Sequence, residues 1–93
     1  MMSKRIVVIG ASTGIGNALV HLAAKENDCK IIAFARNMEL MKDSFKSLSN
    51  VSCHHLDLEN INPEDFTTKL NQFGPIDILI NNAGYLVNKP FEE

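Results

Sequence analysis

The sequence predicts an α/β fold: a parallel sheet in the spatial order 3-2-1-4, with helices on both faces. Three observations carry that reading. Short unbroken apolar runs alternate with longer stretches whose apolar residues recur at helical spacing. The helical stretches carry chemical start and stop signals. The connections between them are short, and right-handed crossovers turn such an order into a parallel sheet with a central first strand.

The elements follow in order. Ile6-Val7-Val8-Ile9 is an uninterrupted apolar run, as expected of a strand covered on both faces. Ile31 to Ala35 reads the same way, and so does Ile76 to Ile80, with Asp77 near its start. Val51 to Leu56 (VSCHHL) is more polar and suits an edge strand. Between these runs the period lengthens. Ile15, Leu19, Leu22 and Ala23 form one stripe, Met38, Met41, Phe45 and Leu48 a second, and Phe66, Leu70 and Phe73 a third. A stripe of Met and Phe is explained by packing and needs no cofactor. Asn37 can cap the second helix. Asn62-Pro63-Glu64-Asp65 supplies a cap, a proline at the first helical position, and acids at the positive end of the dipole. Gly74-Pro75 stops the third helix. The pattern is β-α-β-α-β-α-β, and it ends after the fourth strand.

Composition narrows the function classes. Ninety-three residues make one small domain with a modest core, and 45% hydrophobic with 22% charged residues is ordinary for a globular protein. A net charge of −2 gives no reason to expect nucleic acid or an anionic membrane as partner. No apolar run approaches the roughly 20 residues that span a bilayer. MMSKRIVVIG does not read as a signal peptide, because a glycine-rich turn follows Ile9 instead of a cleavage site. Cys29 and Cys53 form no CxxC pair and signal neither a zinc site nor a disulfide framework; both fall in strands and read as buried thiols. A cytoplasmic protein is the plain expectation.

The chemistry is concentrated where the first strand meets the first helix, at Gly10-Ala11-Ser12-Thr13-Gly14-Ile15-Gly16. Gly10 permits a tight turn, Gly14 lets the backbone approach a pyrophosphate, and Gly16 lets the helix pack closely on the sheet. The free N–H groups at the helix start face the anion, and Ser12 and Thr13 can add hydroxyl donors. A turn whose glycines serve only backbone geometry is the plainer alternative. The position between strand and amphipathic helix favours the dinucleotide reading. A P-loop would need Gly-Lys-Ser/Thr where this chain has Gly16-Asn17-Ala18.

GASTGIG after the first strand, Asp57-Leu58 after the third and IDILINNAG around the fourth together resemble the short-chain dehydrogenase/reductase family. The resemblance covers essentially the whole chain. One departure is Ile9, where many members have Thr; it should weaken a local hydrogen bond and leave cofactor binding in place. Flavodoxin-like and methyltransferase domains share the alternation but not these three blocks. The resemblance implies a Rossmann-type fold, represented over residues 1–93 by its dinucleotide-binding half. It implies that Gly10, Ser12, Thr13, Gly14, Ile15 and Gly16 surround the pyrophosphate and the adjoining ribose. It implies that Asp57 accepts from the adenine amino group with Leu58 bordering the ring. Asn82, Ala83 and Gly84 would line the adenosine and ribose side, with Asn81 helping to hold the central sheet. A turn-capping carboxylate is the alternative for Asp57.

The end of the second strand discriminates between cofactors. An acid there would bond the adenosine ribose hydroxyls and repel a 2′-phosphate. This chain has Ala35 followed by Arg36, whose guanidinium can grip that phosphate. NADP(H) is therefore expected over NAD(H). A solvated charge leading the second helix is the alternative for Arg36.

The family's reaction is hydride transfer between nicotinamide and a carbonyl or alcohol, with a tyrosine as acid/base and a lysine four residues later. Tyr85 and Lys89 have that spacing, but Lys89 precedes Pro90, which disfavours helical angles, and Gly84 makes the segment a loop. The family's pair also lies well downstream of NNAG. Tyr85 is therefore not read as catalytic, and the serine and the tyrosine–lysine pair are expected to be absent from this chain. His54 and His55, adjacent on a strand, point to opposite faces and do not suit a shared metal. His21 reads as a surface residue. Two functions stay open: the NADP(H)-binding portion of an oxidoreductase, or a non-catalytic nucleotide-binding or assembly module. In the second, an apolar fourth-strand edge would drive self-association.

Overall fold

The computed structural model describes residues 4–57 and 60–82. Strands β1 (Lys4–Ile9), β2 (Cys29–Ala35), β3 (Val51–His55) and β4 (Ile78–Asn81) alternate with helices α1 (Gly14–Ala23), α2 (Met38–Phe45) and α3 (Pro63–Asn71). The sheet order is β3-β2-β1-β4, and every pairing is parallel. In register, Ile6 lies between Ile31 and Ile78, and Ile9 between Phe34 and Asn81. The expected 3-2-1-4 order is therefore observed, with β3 as the polar edge strand.

Strand alternation sends side chains of β1 and β2 into two separate cores, which is why both strands read as continuous apolar runs. On one face Ile6, Val8, Ile31, Ala33 and Ala35 pack with Val20 of α1 and Met41 and Phe45 of α2. On the other, Val7, Ile9, Ile32 and Phe34 receive Phe66 and Leu70 of α3, with Phe73 just beyond it. Phe34, wholly buried, meets Phe66 and Phe73 edge-on at ring-centroid distances of 6.4 and 6.0 Å. Pairs of this geometry add about 0.5–1.5 kcal/mol beyond area burial.

The helix starts follow the sequence signals. Asn37 Oδ1 accepts from the Leu40 N–H at 3.0 Å, and Asn62 Oδ1 from the Asp65 N–H at 2.8 Å, with Pro63 opening α3. After α3, Gly74 takes φ of +79°, a conformation that favours glycine, and the chain turns into β4.

Four expectations need correction. Of the α1 stripe only Ala23 packs against the core: Ile15 and Leu22 are 69% and 62% exposed, whereas Gly16 and Val20 are buried. The small residue at 16 brings the helix start against the β1 turn and rotates Val20 and Ala23 inward. Leu19 and Leu22 instead border an apolar groove of about 320 Å³ shared with Ile6, Val8, Ile78 and Ile80. Second, β4 starts at Ile78 and is not covered on both faces, with Ile78 and Leu79 44% and 43% exposed. Asp77 is drawn out of the strand because its carboxylate accepts from the Arg5 N–H at 2.8 Å while its own N–H donates to the Arg5 carbonyl. Third, Cys53 is only half-buried, although Cys29 is buried. Fourth, His21 is half-buried, its ring tilted against Phe45 at a centroid distance of 5.1 Å and bonded to Ser44. Among the described residues no helix is long and apolar enough to cross a membrane.

Candidate functional site

In a parallel sheet every strand delivers its next residue to the same edge, and ligands bind where the direction of winding reverses. Here that reversal lies between β1 and β4, since β2 and β3 lie on one side of β1 and β4 on the other. Four chain segments leave the sheet at this edge: the turn Gly10–Thr13 after β1, Arg36 after β2, Asp57 after β3, and Asn82 after β4. The described residues predicted to form the site thus converge from separate parts of the chain. Leu58, Ala83 and Gly84, and also Tyr85 and Lys89, lie outside the described residues.

The turn is pinned from below. The N–H groups of Gly10 and Ala11 both donate to the Phe34 carbonyl, at 2.8 and 3.1 Å, tying it to the end of β2. Across the sheet, the Asn82 N–H donates to the Ile9 carbonyl at 2.8 Å. Gly10 has φ of +83°, which lets the chain double back directly off the strand.

The start of α1 differs from the other two helix starts. Asn17 N–H to Thr13 carbonyl, at 3.4 Å, opens the helical ladder, so the amides of Gly14, Ile15 and Gly16 have no acceptor within the helix. Thr13 occupies the cap position but its side chain makes no cap bond, and the first turn of α1 carries no acid. By contrast α2 and α3 are capped by asparagine and carry Glu39, or Glu64 and Asp65, in their first turns. The partial positive charge at this end of α1 thus has neither a side-chain cap at Thr13 nor an acid in the first turn of the helix. Gly14 sits there with φ of +64° and open space where a Cβ would project. Gly16 is the reverse case. A Cβ on it would collide with the Gly10 carbonyl oxygen and lie 2.9 Å from Asn82 Nδ2, so only glycine lets α1 seat this closely. A concave turn with exposed donors, positive dipole and no obstructing Cβ fits a pair of linked phosphates.

The flanking residues differ in environment. Ser12 and Asp57 are half-buried, and Thr13 and Arg36 exposed. Asn60 folds back onto Asp57, donating from Nδ2 to the carboxylate at 2.7 Å and from its N–H to the Asp57 carbonyl. The carboxylate therefore does act in a turn, and Asn60 holds it at the mouth of the edge. Asn81 ends β4 opposite Ile9, and Ile9 is buried against the α3-side core.

Two titrating groups on β3 are displaced. Burial pushes the Cys53 thiol up, with Lys42 pulling the other way. Burial, and then Lys69, hold the His54 imidazole below its ordinary range. His54 sits 4.9 Å from Phe73 and 5.5 Å from Phe34, packed on the α3 face, whereas His55 is exposed. Sequence reasoning missed a further group beside the turn: Asn17, Ser44 and His21, joined by hydrogen bonds. An asparagine in the first turns of a helix, where its propensity is poor, was the available signal.

Comparison with known proteins identifies the family and the fold. The sequence model of the family described as short chain dehydrogenase matches residues 4–93. The L-xylulose reductase of Mus musculus is 32% identical over 93 residues, covering 100% of this chain and 37% of the mouse protein. The structure of a proposed carbonyl reductase, Sniffer, of Caenorhabditis elegans superposes with a TM-score of 0.74 at 34% identity, covering 94% of this chain and 39% of that one. A short-chain dehydrogenase from Streptomyces avermitilis gives a TM-score of 0.73 at 30% identity, covering 88% and 31%. The chain thus spans between 31% and 39% of the length of these relatives.

Proposed function

The chain belongs to the short-chain dehydrogenase family, whose fold binds an NAD(P) dinucleotide, and on that premise we propose that residues 1–93 form the dinucleotide-binding half of an oxidoreductase that prefers NADP(H). The observation that carries the reading is the uncapped, acid-free start of α1 at the carboxyl edge of the sheet, the edge at which Arg36 leaves β2. Gly14, Ile15 and Gly16 offer backbone donors to the pyrophosphate, and Gly10, Ser12 and Thr13 shape the turn around it. Asp57, steadied by Asn60, accepts from the adenine amino group, with Leu58 along the ring. Asn82, Ala83 and Gly84 line the adenosine side. Arg36 replaces the acid that would repel a 2′-phosphate and contributes a guanidinium to hold it. The bound dinucleotide supplies the hydride exchanged with a carbonyl or alcohol; the serine and the tyrosine–lysine pair that activate that substrate are not assigned to this chain.

Titration of the chain with NADPH and with NADH, for wild type and Arg36→Ala, tests this. Wild type should bind NADPH more tightly, and the substitution should remove most of the difference. An unchanged preference would show that Arg36 does not read the 2′-phosphate.

A second reading, a non-catalytic assembly module, is favoured by the exposed Ile78 and Leu79 on β4, which among the described residues pairs only with β1. Its test is sedimentation velocity across a hundredfold concentration range. Concentration-dependent dimers abolished by Leu79→Lys would support it, and a monomer throughout would exclude it.

A further inference from the structure

The Asn17 side chain lies behind the turn and reaches back over it. Its Nδ2 is 3.2 Å from the Ala11 carbonyl oxygen, 3.3 Å from the Ser12 carbonyl oxygen and 2.9 Å from Ser44 Oγ. An amide nitrogen has two hydrogens, so the two carbonyls share one and the serine takes the other. The presence of two carbonyl acceptors also settles which end of the amide faces the turn. Ser44 belongs to α2, and its Oγ is 3.1 Å from His21 Nε2, so the hydroxyl that accepts from Asn17 has a proton to give to an imidazole protonated on Nδ1. Phe45 packs against the same ring at a tilt of 60°.

We propose that the Asn17–Ser44–His21 chain sets the donor array of the dinucleotide site by holding the Ala11 and Ser12 carbonyls toward α1. In a trans peptide the C=O and the following N–H point in opposite directions. Both carbonyls drawn to Asn17 therefore turn the N–H groups of Ser12 and Thr13 the other way, adding them to the amides of Gly14, Ile15 and Gly16. The anchor lies on α2, the helix that begins just after Arg36, so the pyrophosphate turn and the 2′-phosphate end are held by one polar tie. These three are positioning residues: Asn17 touches the turn, Ser44 and His21 act through Asn17, and none is placed on the ligand.

The inference rests on the dinucleotide reading above, and the experiment separates the two. NADPH and adenosine 2′-monophosphate, which lacks the pyrophosphate, are titrated into the chain carrying Ser44→Ala, Ser44→Thr or Asn17→Asp. Amide spectra monitor the fold and the Ser12 and Thr13 signals. Ser44→Ala should weaken NADPH about fivefold, the scale of one hydrogen bond, and leave adenosine 2′-monophosphate within twofold. Ser44→Thr, which keeps the hydroxyl, should restore NADPH binding. Asn17→Asp, which turns a donor into an acceptor facing two carbonyls, should weaken it further; if that variant does not fold, the Ser44 pair decides alone, because it loosens the anchor of Asn17 without setting a charge against the carbonyls. Wild-type affinity for NADPH in Ser44→Ala, or an equal loss for both ligands, overturns the tie while leaving the dinucleotide site standing. A wild type that binds neither ligand overturns the site and the tie with it.

Discussion

Replacing Gly16 with alanine has a sign that the structure determines. Gly16 lies inside α1 without a positive φ, and alanine is the better helix former by about 1 kcal/mol, so without other contacts the substitution would stabilise the chain. The added Cβ, however, meets the Gly10 carbonyl oxygen and lies 2.9 Å from Asn82 Nδ2. The first of these is backbone, itself fixed by the Gly10 N–H bond to the Phe34 carbonyl, so the helix start must lift off the sheet. Overpacking of this kind costs about 1–3 kcal/mol, and a rigid obstacle places it toward the upper end. The net expectation is destabilisation by about 1–2 kcal/mol. In urea, with a slope of about 1–3 kcal/mol per molar, the unfolding midpoint falls by roughly 0.3–2 M. The lift also carries the Gly14, Ile15 and Gly16 amides out of line, so NADPH binding should weaken in the same variant. Urea denaturation followed by far-ultraviolet circular dichroism gives the midpoint, and fluorescence titration the affinity. A midpoint equal to or above wild type would refute the packing argument, because propensity alone would then account for the result.

Other outcomes follow from the same structure. Asn62→Ala removes the acceptor for the Asp65 N–H and should cost about 1 kcal/mol, whereas Thr13→Ala, at a cap position with no cap bond, should leave stability within about 0.5 kcal/mol; urea midpoints of the two variants measure both. For His54, burial holds the folded imidazole below its ordinary pKa of about 6.5, so the unfolded chain takes up the proton first as pH falls. The contribution is complete above that value and is lost as pH drops through it toward the folded pKa. His54→Phe should flatten the decline in unfolding midpoint between pH 7.5 and 5.5, and an unchanged slope would mean that another group controls it. The half-buried Cys53 thiol, pushed up by burial, should react with iodoacetamide more slowly at pH 8 than the same cysteine in the urea-unfolded chain, as followed by mass spectrometry.

Much of the architecture was legible because local chemistry and global topology agree. Asn37 and Asn62 announced two helix starts, and both make the cap bonds their side chains allow. The unbroken runs at Ile6–Ile9 and Ile31–Ala35 signalled strands packed on both faces, and each feeds both cores. The polar VSCHHL segment identified the edge. What escaped was set by neighbours distant in sequence. The close approach at Gly16 was readable from the glycine pattern, but four apolar residues on α1 could not reveal that it turns Val20 inward and leaves Ile15 and Leu22 outside. The start of β4 depended on Arg5, more than seventy positions earlier, drawing Asp77 away. His21 read as a surface residue because its partner, Ser44, lies on a different helix. The glycines of the site were visible as a pattern. The missing cap on α1 was not, because Thr13 is a residue type that often caps, and only the structure shows that its side chain does not.

The central claim is that the amides opening α1 receive the linked phosphates of a dinucleotide. Amide chemical-shift mapping of the nitrogen-15-labelled chain during an NADPH titration tests it most directly. Saturable shifts should be largest at Gly14, Ile15 and Gly16, with smaller ones at Asp57 and Asn82 along the same sheet edge. Shifts concentrated on the opposite edge of the sheet, around Lys4, Cys29 and Ile78, with the three α1 amides unmoved, would contradict it.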